Sequence, residues 1–430
     1  MEAIILSAMV VVQAGTAADF DVHAFRRVVM DTYGRFPIAM HRGEGCTLTD
    51  TQDKNYLDFA AGISTCTLGH ANDKLAAAVS QQMHTLTHVS NLYYIPNQGK
   101  LAQRLVDSSC LDRAFFCNSG AEANEAAIKL ARKYAVEKLQ TNKPVIVTAQ
   151  NSFHGRTLGA ISATGQPKYQ KGFGELLSGF EYVHYNDVDD LRRLARKFTS
   201  NRFIPSLGPK SRLAAIMLEP LQGEGGIVPG TTEFFTVARE ICDATGALLI
   251  VDEVQTGVGR TGQMWGYQNL GVEVDVLTSA KGLGGGVPIG AMLCKSHCDV
   301  FSPGTHASTF GGNPLACAAG NAVLDAIEED ELIKNVRERS EQLKQGLKEI
   351  EARLGCISEI RGWGLLLGIQ LSDDCGFDAA SLCNEAITNG LLSVPAGTHV
   401  LRLVPPLVVS ARDVDEALTK LETSILSLKK

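Results

Sequence analysis

Short runs of apolar residues alternate with amphipathic stretches through the middle of this 430-residue chain. Runs of four to six apolar residues bounded by turn residues suit buried strands, whereas apolar positions at i, i+3, i+4 and i+7 suit a helix packed on one face. The pattern predicts strands at Ala114–Cys117, Pro144–Thr148, Ala214–Leu218, Ala247–Val251 and Val276–Ser279. A helix is predicted from Ala121, with Ala123, Ala126, Ala127 and Leu130 on one side. Strands alternating with helices imply βα units and a mostly parallel sheet. After Cys317 the texture changes to a long charged helical stretch over 331–354, then strand-like segments at 361–371 and 401–409. The expected layout is α/β. A large domain covers 76–316, a smaller α+β domain covers 317–430, and an N-terminal segment, 1–75, packs with the smaller domain.

Composition narrows the class. Hydrophobic residues make up 45% and charged residues 20%, an ordinary globular balance. A net charge of -7 argues against a nucleic-acid partner, which wants basic patches. Eleven scattered cysteines do not read as a disulfide framework; they suit a reducing compartment. Cys294, His297 and Cys298 invite a metal reading, but no second ligand pair stands at zinc spacing, so no metal is expected. The apolar start, MEAIILSAMVVVQAG, is too short to span a bilayer and lacks the positive flank of a signal peptide. A cytoplasmic location is expected, or an organelle stroma or matrix if a transit peptide has been removed, with no membrane partner.

Three segments carry candidate chemistry. In CNSGAEANEAAIKLAR (117–132), a strand runs through Gly120 into a helix, whose free N–H groups suit a phosphate. In LLIVDEVQTGVGRTG (248–262), Asp252 ends a very apolar strand, where open α/β sheets bind ligands. A carboxylate buried there needs a cationic partner to remain ionised, and a protonated pyridine nitrogen is one. In VLTSAKGLGGGVPIGAM (276–292), Lys281 lies between an apolar strand and a glycine run. A desolvated lysine loses its proton more readily and becomes a nucleophilic amine.

Together with TYGRFP (32–37), HVSNLYYIP (88–96), SFHGRT (152–157), LEPLQGEGG (218–226), STFGGNPLACAA (308–319) and LRLVPPL (401–407), these segments resemble the class III (ω-amino-acid) aminotransferases of fold type I. The resemblance runs from about Tyr33 to Leu407 and implies pyridoxal 5′-phosphate as cofactor. Lys281 resembles the lysine that forms a Schiff base with it, and Asp252 the acid that keeps its pyridine nitrogen protonated. Ser119, Gly120 and Ala121 resemble the phosphate cup, Phe153 the stacking aromatic, and Val254 and Gln255 residues beside the ring. Thr309 resembles a phosphate ligand donated by the other subunit, which implies a homodimer with shared active sites. Arg156 and Arg402 resemble two carboxylate clamps, a role suited to the planar guanidinium fork. Glu224 resembles a gate on the second arginine, while Ser308 and Tyr33 resemble substrate contacts. The implied reaction moves a terminal amino group to 2-oxoglutarate. The expected donor is N2-acetylornithine, with ornithine, 4-aminobutyrate and succinyl-diaminopimelate as alternatives.

Overall fold

A computed structural model describes residues 20–199 and 212–429. The apolar start of the chain lies outside them. Seven strands form the central sheet: β1 (Arg113–Cys117), β2 (Val145–Ala149), β3 (Phe180–Val183), β4 (Leu213–Leu218), β5 (Leu248–Asp252), β6 (Val276–Ser279) and β7 (Gly290–Cys294). Their spatial order is β1-β7-β6-β5-β4-β2-β3. β3, β2, β4, β5 and β6 pair in parallel, whereas β7 runs antiparallel to both of its neighbours. β2, β4, β5 and β6 are buried at every position, which explains why they read as unbroken apolar runs.

Five strands match the predicted ones to within a residue or so at each end. β3 and β7 were not predicted. FEYV in β3 is only partly buried and gives a weak apolar signal. β7 follows so closely on the glycine run that its GAMLC reads as part of that loop. Two other expectations need correction. Segment 361–371 lies within a hairpin of Ile357–Trp363 and Leu366–Leu371, turned at Gly364 with φ 54°. Segment 401–409 is a strand only through Leu403, because Pro405 and Pro406 cannot donate to a ladder.

Both ends of the described chain meet in one small sheet. Asn55–Asp58 pairs in parallel with Leu391–Leu392, in register from Leu57 opposite Leu391. The charged helix Leu332–Leu354 buries Leu332, Val336, Leu343, Leu347 and Ile350 on one stripe. It packs against the last helix, Ala411–Leu428. Among the described residues no helix is long and apolar enough to cross a membrane.

Candidate active site

A cavity of about 430 Å³ opens where β5 and β6 end. This is the carboxyl edge of the parallel strands, the usual ligand position in such sheets. Ser119, Gly120, Ala121, Phe153, Arg156, Glu224, Asp252, Val254, Gln255 and Lys281 all line it. Sequence reasoning had therefore singled out residues from five separate segments that the fold brings to one place.

Ser119 caps the helix Gly120–Glu137, its hydroxyl accepting from Glu122 N at 3.2 Å. The N–H groups of the first turn have no acceptor within the helix, so they present partial positive charge. A Cβ on Gly120 would lie 2.6 Å from Val254 Cγ1, so only glycine lets this turn approach the β5 loop.

Asp252 is almost fully buried, with each oxygen engaged. Oδ1 accepts from Val254 N at 3.0 Å. Oδ2 accepts from Asn124 Nδ2 at 2.7 Å and lies 2.8 Å from His154 Nδ1. Asn124 is fixed in turn by Thr278, whose hydroxyl donates to its Oδ1 at 2.7 Å. Burial by itself would lower the His154 imidazole, but the Asp252 hydrogen bond and the charges of Asp252 and Glu219 outweigh it, so its pKa is raised. Asn124 and His154 were missed by sequence reasoning. Both lie inside quoted motifs, and Asn124 faces inward on an alanine-rich helix stripe where no partner is visible without the fold.

Lys281 sits just beyond β6 with φ 42°, a left-handed conformation unusual for a side chain with a Cβ. Burial and the nearby Arg402 guanidinium lower its ammonium to about 8, while Glu224, Asp252 and Glu219 act against them. Glu219, a second residue that sequence reasoning passed over, is buried and accepts from Phe153 N at 3.1 Å and Gly223 N at 3.2 Å. Burial lifts its carboxyl to about 7.

The two arginines stand in opposite states. Arg402 is buried, and its Nη1 donates to Glu224 Oε1 at 2.7 Å and to Gln255 Oε1 at 3.1 Å. Its Nε is buried with no acceptor. Burial would raise the Glu224 carboxyl, but Arg402 holds it below its ordinary value. Arg156 is exposed and rests on aromatic faces, 3.9 Å from the Tyr169 centroid and 5.5 Å from that of Phe153.

Four expected site residues are not part of this cavity's lining: Arg402, which stands behind Glu224 and Gln255, and Thr309, Ser308 and Tyr33, which lie away from it within the single chain. Thr309 is exposed and lines a different pocket with Ser90, Asn91 and Gly311. Ser308 lines that same pocket and receives Asn118 Nδ2 at 3.2 Å and Gly311 N at 3.1 Å on its hydroxyl. Tyr33 is 72% exposed, with Arg35 stacked 5.4 Å from its centroid.

The donor set suits pyridoxal phosphate. The helix N-terminus offers N–H groups to a phosphate, the Phe153 side chain supplies an aromatic wall, and a buried carboxylate and a lysine amine of lowered pKa face the same space. The sequence profile of class III aminotransferases matches residues 28–425. The chain therefore belongs to the class III aminotransferases, and it is a pyridoxal-phosphate-dependent transaminase. It is 56% identical to the acetylornithine aminotransferase of Synechocystis sp., over 100% of this chain and 98% of that one. The Stenotrophomonas maltophilia N-acetylornithine aminotransferase structure matches with a TM-score of 0.79 at 37% identity, covering 92% of this chain and 97% of that one. The ornithine aminotransferase structure from Toxoplasma gondii matches with a TM-score of 0.87 at 32% identity, covering 94% of each chain.

Proposed function

We propose that this chain transfers the terminal amino group of N2-acetylornithine to 2-oxoglutarate, giving N-acetylglutamate 5-semialdehyde and glutamate, a step of arginine biosynthesis. The 56% identity with an acetylornithine aminotransferase carries the donor, and the two arginines carry the acceptor: among the described residues Arg402 is held by Glu224 while Arg156 has no carboxylate partner. A donor with one carboxylate needs only Arg156. A dicarboxylic acceptor needs both cations, and Glu224 releases Arg402 to it. The acetylornithine aminotransferases of Synechocystis and Nostoc, 56% and 54% identical, point to the same donor.

Bound pyridoxal phosphate supplies an aldehyde and a ring that accepts electrons. Lys281 Nζ would hold that aldehyde. The Nζ amine would also move the proton of the substrate carbon that carries the migrating nitrogen. A pKa near ambient pH suits that double duty. Asp252, kept in place by Asn124 and His154, would keep the ring nitrogen protonated. Ser119, Gly120 and Ala121 would hold the phosphate, with Phe153, Val254 and Gln255 around the ring. Tyr33 and Ser308 complete the substrate contacts in this reading.

The same reading makes the active unit a homodimer, with Thr309 reaching the phosphate of the partner's site. An exposed apolar surface supports it: Leu92 is 87% exposed, Tyr93 67%, and Phe310, beside Thr309, 59%. In this reading 76–316 is the cofactor-binding body, and 1–75 packs with 317–430 through the pairing of Asn55–Asp58 with Leu391–Leu392. The helices Asp73–Thr85 and Pro314–Glu329 straddle the two boundaries and pack on each other.

Steady-state rates with acetylornithine, ornithine, 4-aminobutyrate and succinyl-diaminopimelate, each against 2-oxoglutarate, test the substrate. Acetylornithine should give the highest kcat/KM, and a tenfold preference for any other donor would overturn the assignment.

A further inference from the structure

At the opposite edge of the sheet from Lys281, the ends where β5 and β6 begin, three potential ligands converge. His297 Nε2 lies 3.2 Å from Cys298 Sγ and 3.7 Å from Asp275 Oδ1. The atoms of all three lie within 4.8 Å of one another. We propose that Asp275, His297 and Cys298 bind a zinc-class divalent cation, with solvent as fourth ligand.

Sulfur and oxygen approach the same ring nitrogen. Ligands of one ion do this, whereas a proton relay through histidine would use its two different nitrogens. Zinc–ligand bonds of about 2.0–2.3 Å in tetrahedral array place neighbouring ligand atoms about 3.4–3.6 Å apart. His297 Nε2 to Cys298 Sγ, at 3.2 Å, falls a little short of that range, and His297 Nε2 to Asp275 Oδ1, at 3.7 Å, a little beyond it, so a small turn of the exposed His297 side chain would seat an ion.

The surroundings also fit. Asp275 Oδ2 is fully engaged, accepting from Arg239 Nη1 at 2.7 Å and Leu249 N at 2.8 Å. Its Oδ1 is left toward His297. Such outer hydrogen bonds commonly aim a metal-binding carboxylate. Two cations nearby would repel an ion, but each has a further acidic partner: Arg239 with Asp243 at 2.9 Å and Lys295 with Glu273 at 2.6 Å. A dication thus faces the Asp275 carboxylate and the sulfur it deprotonates. Cys298 is buried, and burial keeps its thiol protonated in the absence of an ion. On binding, the thiol proton passes to solvent as sulfur takes the metal. The His297 side chain is 55% exposed and provides the way in. Asp275 stands 22 residues before His297 in the chain, so only the fold brings the third ligand to the other two.

The test uses the holoenzyme, freed of metal and titrated with zinc against a chromophoric chelator. The wild type should bind one zinc per chain beyond whatever His297→Ala binds, since that variant carries the same cofactor. Cys298→Ser should weaken binding at least about tenfold. Cobalt(II) should give intense tetrahedral bands at wavelengths beyond the cofactor's absorption, and these should vanish in both variants. Transamination without added metal should be unchanged in His297→Ala, an exposed position whose fold can be checked by circular dichroism. Equal zinc uptake by wild type and His297→Ala, or wild-type affinity in a folded Cys298→Ser, would overturn the proposal.

Discussion

Arg402 Nη1 and Glu224 Oε1 form a 2.7 Å ion pair, the glutamate lining the cavity that holds Lys281 and the arginine behind it. The arginine is buried and the glutamate is one-quarter exposed, so the acid is the member free to leave. Glu224→Ala should make Arg402 permanently available. The Michaelis constant for 2-oxoglutarate should then fall about tenfold, from removal of a charged hydrogen bond of about 1.5–3 kcal/mol that competes with substrate. The amine-donor half-reaction should slow. Single-turnover measurements of each half-reaction check both effects, and parallel changes in the two would contradict a gate.

Lys281 gives a prediction about pH. Burial and Arg402 bring its ammonium down to about 8. The neutral amine, the nucleophile, is then roughly one part in ten at pH 7 and dominates above pH 8. Capture of pyridoxal phosphate by the apoenzyme should accelerate about tenfold per pH unit up to about 8, then level off. Stopped-flow absorbance follows it directly. Lys281→Ala should lose the cofactor's lysine-dependent visible band and multiple-turnover transamination at every pH.

Arg156 is carried by stacking rather than by a carboxylate, with its guanidinium 3.9 Å from the Tyr169 ring centroid. Cation–π contacts at an exposed position such as this contribute about 0.5–1 kcal/mol and leave every N–H donor free for substrate. Tyr169→Ala should raise the Michaelis constant for carboxylate substrates about two- to fivefold, with little change in kcat. Tyr169→Phe should restore most of the loss. Failure of phenylalanine to rescue would place the effect in the hydroxyl instead.

Gly120 is constrained by Val254, since an added Cβ would meet Cγ1 at 2.6 Å and Cγ2 at 2.8 Å. Gly120→Ala should cost about 1–3 kcal/mol through overpacking and push the phosphate-binding turn away from β5. A lower melting temperature and weaker cofactor binding are the expected readouts. Gly120→Ala combined with Val254→Ala should recover both, because the second change removes the atoms that clash. A double variant no better than the single one would mean another neighbour sets the limit.

These residues divide the site into what the sequence displays and what it conceals. Lys281, Asp252 and Gly120 stand at or within three residues of a strand end, where an apolar run gives way to a chemically distinctive residue. The two arginines were visible only through motif resemblance, and nothing local separates the paired one from the free one. Their difference depends on Glu224 and Tyr169, which are 178 and 13 residues away from the respective arginines. His154, Asn124 and Glu219 were hidden for the same reason: a buried polar group has meaning through partners, and those partners lie on other segments, Asp252 and Thr278 on β5 and β6 and Phe153 in the loop after β2. The sheet was legible where both faces are covered. It was lost at the edge strand β3, which is half solvated, and at β7, whose buried GAMLC follows the glycine run too closely to stand apart from it.

Pairing of Asn55–Asp58 with Leu391–Leu392 also has a consequence for biosynthesis. A ribosome adding 5–20 residues per second needs tens of seconds to make the intervening polypeptide. Throughout that interval the edge of Asn55–Asp58 that later receives Leu391–Leu392 is an unsatisfied template, the kind that recruits foreign strands. A nascent chain stalled before residue 391 should therefore be protease-sensitive around 40–60 and aggregate more readily than the finished protein.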